Sequence, residues 1–277
     1  MKICRRPGRR SVFHCFMKVP EKIKKIIGTR TYTENTVGKS GARVLCFDDM
    51  VLKIGAGEEE AVMMEWLSGR LPVPEILACE REEGASYLLM SKVKGDMLCA
   101  ETYLRRPALL TELLAEGLKL LWSVDPSGCP CAHATNQKLK LAESRVENGL
   151  CDREGIRAPD RLLAWLKTHQ PAERPVFTHG DCCLPNLFTD GKKITGFLDL
   201  GACGIADPYQ DLALAYRSLR DNLRGKYGGI PQPGADPERL FKKLDIVPDR
   251  KRLRYYMLLD ELLRIHIAAK KKGACEN

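Results

Sequence analysis

The stretch from His179 to Asp199 constrains the fold of this chain more than any other. It reads His179-Gly180-Asp181-Cys182-Cys183-Leu184-Pro185-Asn186, then Phe197-Leu198-Asp199-Leu200-Gly201. Strand-like pieces surround it: Pro175 to Thr178, Leu187 to Asp190 and Ile194 to Leu200. Asp181 and Asn186 therefore belong to a loop between strands, and Asp199 to the end of a later strand. A lone His-Gly-Asp is a weak signal, because an Asp capping a turn and an Asn filling a loop use the same letters. The full ordered set of His179, Asp181, Asn186 and Asp199 is far more restrictive.

The rest of the chain organises around that stretch. Before it, Pro20 to Ile27 suggests a short basic helix. Arg30 to Glu34, Arg43 to Phe47 and Met50 to Ile54 read as short strands, with Asp48-Asp49 as a hairpin turn. Gly38-Lys39-Ser40-Gly41 makes a glycine loop between the first two. Glu58 to Gly69 reads as a helix, since Ala61, Met64 and Leu67 recur at helical spacing and Gly69 stops it. Glu75 to Cys79 and Ser86 to Met90 are further apolar segments. After Lys94-Gly95 the pattern turns helical, over Pro107 to Val124, Gln137 to Asn148, Pro159 to His169, Asp207 to Arg224 and Pro248 to Lys272. A strand-rich unit followed by a helical one predicts an α+β fold of two lobes, with the cleft between them as the ligand site. The predicted divisions are a basic, disordered leader at 1–16, an N-terminal lobe at 17–92 and a C-terminal lobe at 93–277.

Composition removes several classes. With 277 residues, 44% of them hydrophobic, the chain can build a real core. No apolar run approaches the roughly 20 residues of a membrane span. The formal charge of +9 is carried by residues 1–30, and the remainder is neutral. A basic tail on a neutral body is a weak nucleic-acid signal. That alternative would show as steep salt-dependent binding lost on deleting residues 1–16; a leader, or a start at Met17, is the simpler account. The twelve cysteines mostly sit singly in periodic segments, as small apolar residues do. No export signal is visible, so the cytoplasm, with reduced thiols, is the expected compartment. Cys129-Pro130-Cys131-Ala132-His133 lacks standard zinc spacing and an obvious second ligand pair.

The spacing from Asp181 to Asn186 is that of the protein-kinase catalytic loop, and Asp199 stands where a metal-binding aspartate follows it. The residue types suit that chemistry. A hydroxyl attacking a γ-phosphate needs a carboxylate to orient it and take its proton, which Asp181 supplies. ATP arrives with Mg2+, a hard cation matched by the oxygens of Asn186 and Asp199. His179 is expected to organise the loop rather than act as base. Asp211 is expected to support the loop from a helix, and Asp207 to cap that helix ahead of Pro208.

His179 to Phe188, then Gly196 to Gly201 and Ala206 to Ala215, closely resemble the aminoglycoside 3'-phosphotransferase family. The resemblance continues in Glu65-Trp66-Leu67, Leu71 to Pro74, Leu88 to Ser91 and Leu258 to Leu262, covering roughly residues 20–263. It implies a two-lobed protein-kinase-like fold, with a small antiparallel-sheet N-lobe bearing one main helix and a larger, mostly helical C-lobe. It also implies transfer of the ATP γ-phosphate to an aminoglycoside hydroxyl, 3' by expectation, giving antibiotic resistance. Lys53 resembles the lysine that grips the α/β-phosphates, and Glu60 its ion-pair partner, with Glu58 and Glu59 as close competitors. Ser40 and its loop resemble the phosphate cover. A P-loop is excluded because Thr33 stands where that motif needs glycine. Met90, Ser91 and Val93 resemble the hinge at the adenine edge.

For a polycationic acceptor the resemblance implies acids at Asp260 and Glu261, and on an insert that here offers Asp152 and Glu154. Three departures from the family pattern bear on that acceptor. The chain runs fourteen residues past Leu263, through Lys270-Lys271-Lys272. Ala202 replaces an arginine common after the Asp199 glycine. The insert is short and mixed in charge. Two other readings are kinase chemistry on another small alcohol, such as an amino sugar, choline or a macrolide, and a nucleotide-binding regulator without catalysis. The intact Asp181, Asn186 and Asp199 weigh against the second.

Overall fold

Among the described residues the chain forms eleven strands and nine α-helices. The computed structural model describes residues 11–12, 18–35, 43–55, 57–151 and 156–264. Ser40 and its glycine loop, Asp152, Glu154 and Lys270 to Lys272 lie outside these residues.

The N-terminal part contains β1 (Ser11–Val12), α1 (Glu21–Ile27), β2 (Thr31–Asn35), β3 (Arg43–Cys46), β4 (Met50–Ile54), α2 (Glu58–Leu67), β5 (Ile76–Glu82) and β6 (Ala85–Ser91). The strands form one antiparallel sheet in the order β1-β2-β3-β4-β6-β5. β1, inside the expected leader, extends this sheet by pairing with Thr31 and Tyr32. Alternation in β6 decides what covers each face. Tyr87 and Leu89 join Ile23, Ile27, Leu45 and Leu52 in a small core under α1. Leu88 and Met90 face the other way, onto Ala61, Met64 and Leu67 of α2. Glu58, Glu59 and Glu60 occupy the first turn of α2, where the helix dipole favours negative charge.

The C-terminal part follows with β7 (Asp96–Met97), α3 (Glu101–Leu104), α4 (Pro107–Trp122), α5 (Thr135–Glu147), α6 (Pro159–Thr168), β8 (Val176–Thr178), β9 (Leu187–Thr189), β10 (Ile194–Phe197), β11 (Gly204–Ala206), α7 (Pro208–Leu223), α8 (Arg239–Leu244) and α9 (Arg250–Leu263). β7, β9 and β10 make a three-stranded sheet, and β8 pairs with β11. α4 runs through the centre, burying Leu110, Leu114, Leu118 and Leu121. Proline at the first helical turn starts α4, α6 and α7, where a missing N–H costs nothing. The large core joins this part to α2, so the cleft between the two lobes is backed by continuous packing. Among the described residues no helix is long and apolar enough to cross a membrane.

Two expectations need correction. The helix expected over Pro248 to Lys272 ends at Leu263, where Arg264 turns to ψ 128°. The strand expected to run to Leu200 ends at Phe197. Leu198 donates its N–H to the Asn186 carbonyl at 2.9 Å, and Asp199 turns to φ 61°, which breaks the pleat. β7, α3, β11 and α8 are additional elements, each too short to show a period.

Candidate active site

The loop after β8 is held in shape by one buried carboxylate. Asp211, on the first turn of α7, is fully buried and accepts from the backbone N–H groups of His179 and Gly180, both at 2.9 Å. Burial pushes its pKa up, against the pull of His179 and those two N–H groups. Gly180 sits at φ +81°, and a Cβ there would lie 2.1 Å from the Ala202 carbonyl oxygen, so only glycine fits. His179 is also buried. Its Nε2 lies 2.9 Å from the Leu198 carbonyl, and its Nδ1 accepts from the Asp181 N–H at 3.3 Å. With Nδ1 accepting, it is Nε2–H that donates to the Leu198 carbonyl. The histidine is thereby used on both nitrogens as a tie between two loops.

This frame leaves the Asp181 side chain exposed at the loop surface. Asn186, in a tight 3-10 turn, donates from Nδ2 to the Asp181 carbonyl at 2.9 Å and to Asp181 Oδ2 at 3.4 Å. Its Oδ1 has no hydrogen-bond partner among the described residues. Cys182 and Cys183 follow the aspartate, and burial drives both thiols well above the usual range. They are packing groups, not nucleophiles.

The opposite wall comes from the N-terminal sheet. Lys53 on β4 meets Glu60 of α2 through both carboxylate oxygens, at 2.9 and 2.8 Å. Glu58 instead pairs with Arg81 at 3.4 Å. The sequence order of three glutamates left that choice open; the helix turns Glu60 inward. Lys53 Nζ also reaches Asp199 Oδ1 at 2.9 Å, which joins the two lobes. Burial disfavours the lysine charge, yet Asp199 and Glu60 together raise its pKa. Glu60 Oε1 further accepts from the Leu200 N–H at 3.3 Å. Asp199 adopts the left-handed conformation, strained for a residue with a Cβ, and its side chain remains 63% exposed. Its Oδ2 is uncommitted among the described residues.

At the back of the cleft Met90 is buried between Val51 and Ile76 of the neighbouring strands. The Ser91 N–H is committed to the Glu75 carbonyl at 2.9 Å, and its hydroxyl accepts from the Glu75 N–H at 2.9 Å. Both the N–H and the hydroxyl of Ser91 are thereby committed to Glu75. Val93 packs against Gly196, where a Cβ would lie 2.3 Å from its Cγ1.

Asp260 and Glu261 lie on the last turn of α9, away from the Lys53 cluster in sequence but joined to the Asp181 side through α7. Arg217 of α7 bonds to Asp260 and lies 3.3 Å from Glu261. Arg264 lies 3.1 Å from Asp260 and 3.3 Å from Glu261. Lys138 of α5 is another cation without a motif to announce it. Burial lowers its pKa, against the fields of Asp211, Asp260 and Asp181. Cys129 and His133 take up structural bonds: the thiol donates to the Cys131 carbonyl, and His133 lies 3.1 Å from the Cys203 carbonyl. Among the described residues no cluster of three His, Cys, Asp or Glu could hold a metal.

A strand lysine paired with a helix glutamate, facing a His-Gly-Asp loop and a following aspartate, defines a two-lobed, protein-kinase-like phosphotransferase. Comparison with known proteins agrees. Residues 35–241 match the phosphotransferase enzyme family. The chain is 35% identical over 269 residues to an aminoglycoside 3'-phosphotransferase of Enterococcus faecalis, spanning 89% of this chain and 98% of that one. It is 34% identical over 268 residues to the Staphylococcus aureus protein of the same name, with the same coverage. Among solved structures, an aminoglycoside phosphotransferase of Streptomyces rimosus superposes with a TM-score of 0.72 at 27% identity, over 87% of this chain and 95% of that one. The same enzyme in complex with ADP and streptomycin superposes at 0.69, again at 27% identity, over 84% and 92%. The chain belongs to the phosphotransferase enzyme family, alongside the aminoglycoside 3'-phosphotransferases.

Proposed function

We propose that this chain is a cytoplasmic ATP-dependent kinase that phosphorylates aminoglycosides, at the 3'-hydroxyl, and so confers resistance. The observation that carries this reading is the convergence of Lys53, Glu60 and Asp199 opposite the Asp181–Asn186 loop. The relatives named above supply the acceptor class. Residues 17–92 form the nucleotide lobe in this reading, and residues 93–277 the catalytic and acceptor lobe.

Lys53 holds the α/β-phosphates, kept charged and aimed by Glu60. Ser40 and its glycine loop cover the phosphates. The Ser91 carbonyl and Val93 backbone meet the adenine edge, with Met90 as the apolar floor. Asn186 Oδ1 and Asp199 Oδ2, without a hydrogen-bond partner among the described residues, form the hard donor set that Mg2+ prefers, so the residues fit that ion. When bound, it neutralises charge on the phosphate oxygens. Asp181 accepts the hydrogen bond of the acceptor hydroxyl and takes its proton as the new oxygen–phosphorus bond forms. The bond from the γ-phosphorus to the ADP oxygen breaks in the same event, and ADP leaves. Alignment and charge stabilisation carry most of the acceleration. Asp260 and Glu261, with Asp152 and Glu154, receive the acceptor's ammonium groups.

The test is ADP release from ATP and Mg2+ with and without kanamycin, using Asp181→Asn as control. Kanamycin-stimulated release should fall by at least about 10²-fold in the variant while nucleotide binding persists. Mass spectrometry of the product locates the phosphate. Equal rates in the two proteins would remove Asp181 from its role. Nucleotide binding without any stimulation would move the acceptor to another alcohol.

A further inference from the structure

Two of the acids assigned to the acceptor, Asp260 and Glu261, are already paired with arginines of the same chain. Arg217 bridges Asp260 and Glu261 from α7. Arg264, one residue beyond the last turn of α9, reaches back to the same two carboxylates, at 3.1 Å from Asp260 and 3.3 Å from Glu261. The clasp thus sets two guanidinium groups against two carboxylates. Lys138 and Arg145 of α5 add positive charge close enough to feel Asp260. A site built in this way has little negative field left to draw in a polycation.

The two arginines differ in how readily they can yield. Arg217 is only 12% exposed and is pinned between α7 and α9. Arg264 is 33% exposed, and its backbone leaves the helix at ψ 128°, held by a long 3.4 Å bond to the Glu261 carbonyl. Moving its side chain into water uncovers one face of both carboxylates without disturbing the helix packing. Burial weakens the Arg264 charge, but Asp260 and Glu261 outweigh it and raise its pKa, so the guanidinium stays charged throughout any working pH.

We infer that Arg264 is a specificity-determining residue, an internal cation that an ammonium-bearing acceptor must displace from Asp260 and Glu261. The inference rests on the kinase reading above for the location of the acceptor. Its consequence is that the wild-type site selects acceptors with fewer or better-placed positive charges. An alcohol with no ammonium group leaves the clasp closed and is indifferent to Arg264.

The experiment compares the full chain with Arg264→Ala, Arg264→Gln and Arg264→Lys. Kanamycin affinity is measured by calorimetry and KM by ADP release, at low and high salt. Arg264→Ala and Arg264→Gln should bind kanamycin about five- to tenfold tighter, the range for a partly exposed ion pair or slightly above. The gain should shrink at high salt. Arg264→Lys should stay near wild type, and the KM for ATP should not move. Arg264→Gln keeps the stem packing and replaces the alanine variant if that one fails to fold. Unchanged or weaker kanamycin binding in a folded neutral variant would overturn the inference. Tighter binding with no phosphate transfer in any of the proteins would support the clasp and refute the kinase reading.

Discussion

At the level of single residues, the site depends on groups that never meet a substrate. Asp211 is fully buried and holds two successive backbone N–H groups, one on each oxygen. An amide there has one acceptor oxygen, and its NH2 would face a backbone N–H. Asp211→Asn is expected to cost about 1–3 kcal/mol, the penalty for an unsatisfied buried donor. Urea unfolding should show a lower midpoint at unchanged slope. An unchanged midpoint would mean that the loop does not need this carboxylate. Asp211 could be read from the sequence because it stands at a fixed offset from Asp207-Pro208, a helix start. Lys138, Arg217 and Arg264 could not. Each is an ordinary helical or near-helical cation until tertiary packing brings α5, α7 and α9 together. No local spacing encodes a contact between Arg217 and Asp260, 43 positions apart.

Among the elements, Asp207 links the start of α7 to the segment before β8 and to α9. It caps α7 by accepting from the Tyr209 N–H at 2.9 Å and accepts from the Arg174 N–H at 2.9 Å. It also pairs with Arg252 of α9, and the aspartate itself is wholly buried. Asp207→Ala removes a cap and leaves Arg252 without its buried counterion. A loss of about 3–5 kcal/mol is expected, as for one partner of a buried pair. Thermal and urea unfolding would register it, and a loss below about 1 kcal/mol would show that Arg252 finds another partner. The long helices were legible because Pro, Asp and apolar spacing mark them. β11 was not, since Gly204 and Ala206 are poor strand formers and pair with β8 only through tertiary structure. β7 spans two residues and exists through its partner β9. The overlong reading of β10 has the same origin: its apolar run continues, but the Leu198 N–H is drawn to Asn186.

For the molecule as a whole, an ion pair between Lys53 and Asp199 ties its two halves together. Lys53 and Glu60 come from the sheet lobe, and Asp199 and Leu200 from the helical lobe. The two-lobed plan was readable from the change in periodicity after Gly95, whereas this junction needs the three-dimensional register of β4 against α2. A nucleotide in the cleft would touch both sides and favour the closed, folded state by mass action. At a non-hydrolysable ATP analogue concentration of ~100 Kd the gain is about 2.7 kcal/mol. For a chain of this size that corresponds to a melting temperature higher by roughly 5–10 °C. Lys53→Ala should melt lower without ligand, because Glu60, 8% exposed, loses its counterion. It should also lose most of the analogue-induced rise. The decisive quantity is therefore the difference between melting with and without the analogue, which separates the stability defect from the binding defect. A variant that melts low but retains the full rise would place the phosphates away from Lys53. A variant with neither effect would mean that the junction seen between the lobes contributes nothing in solution.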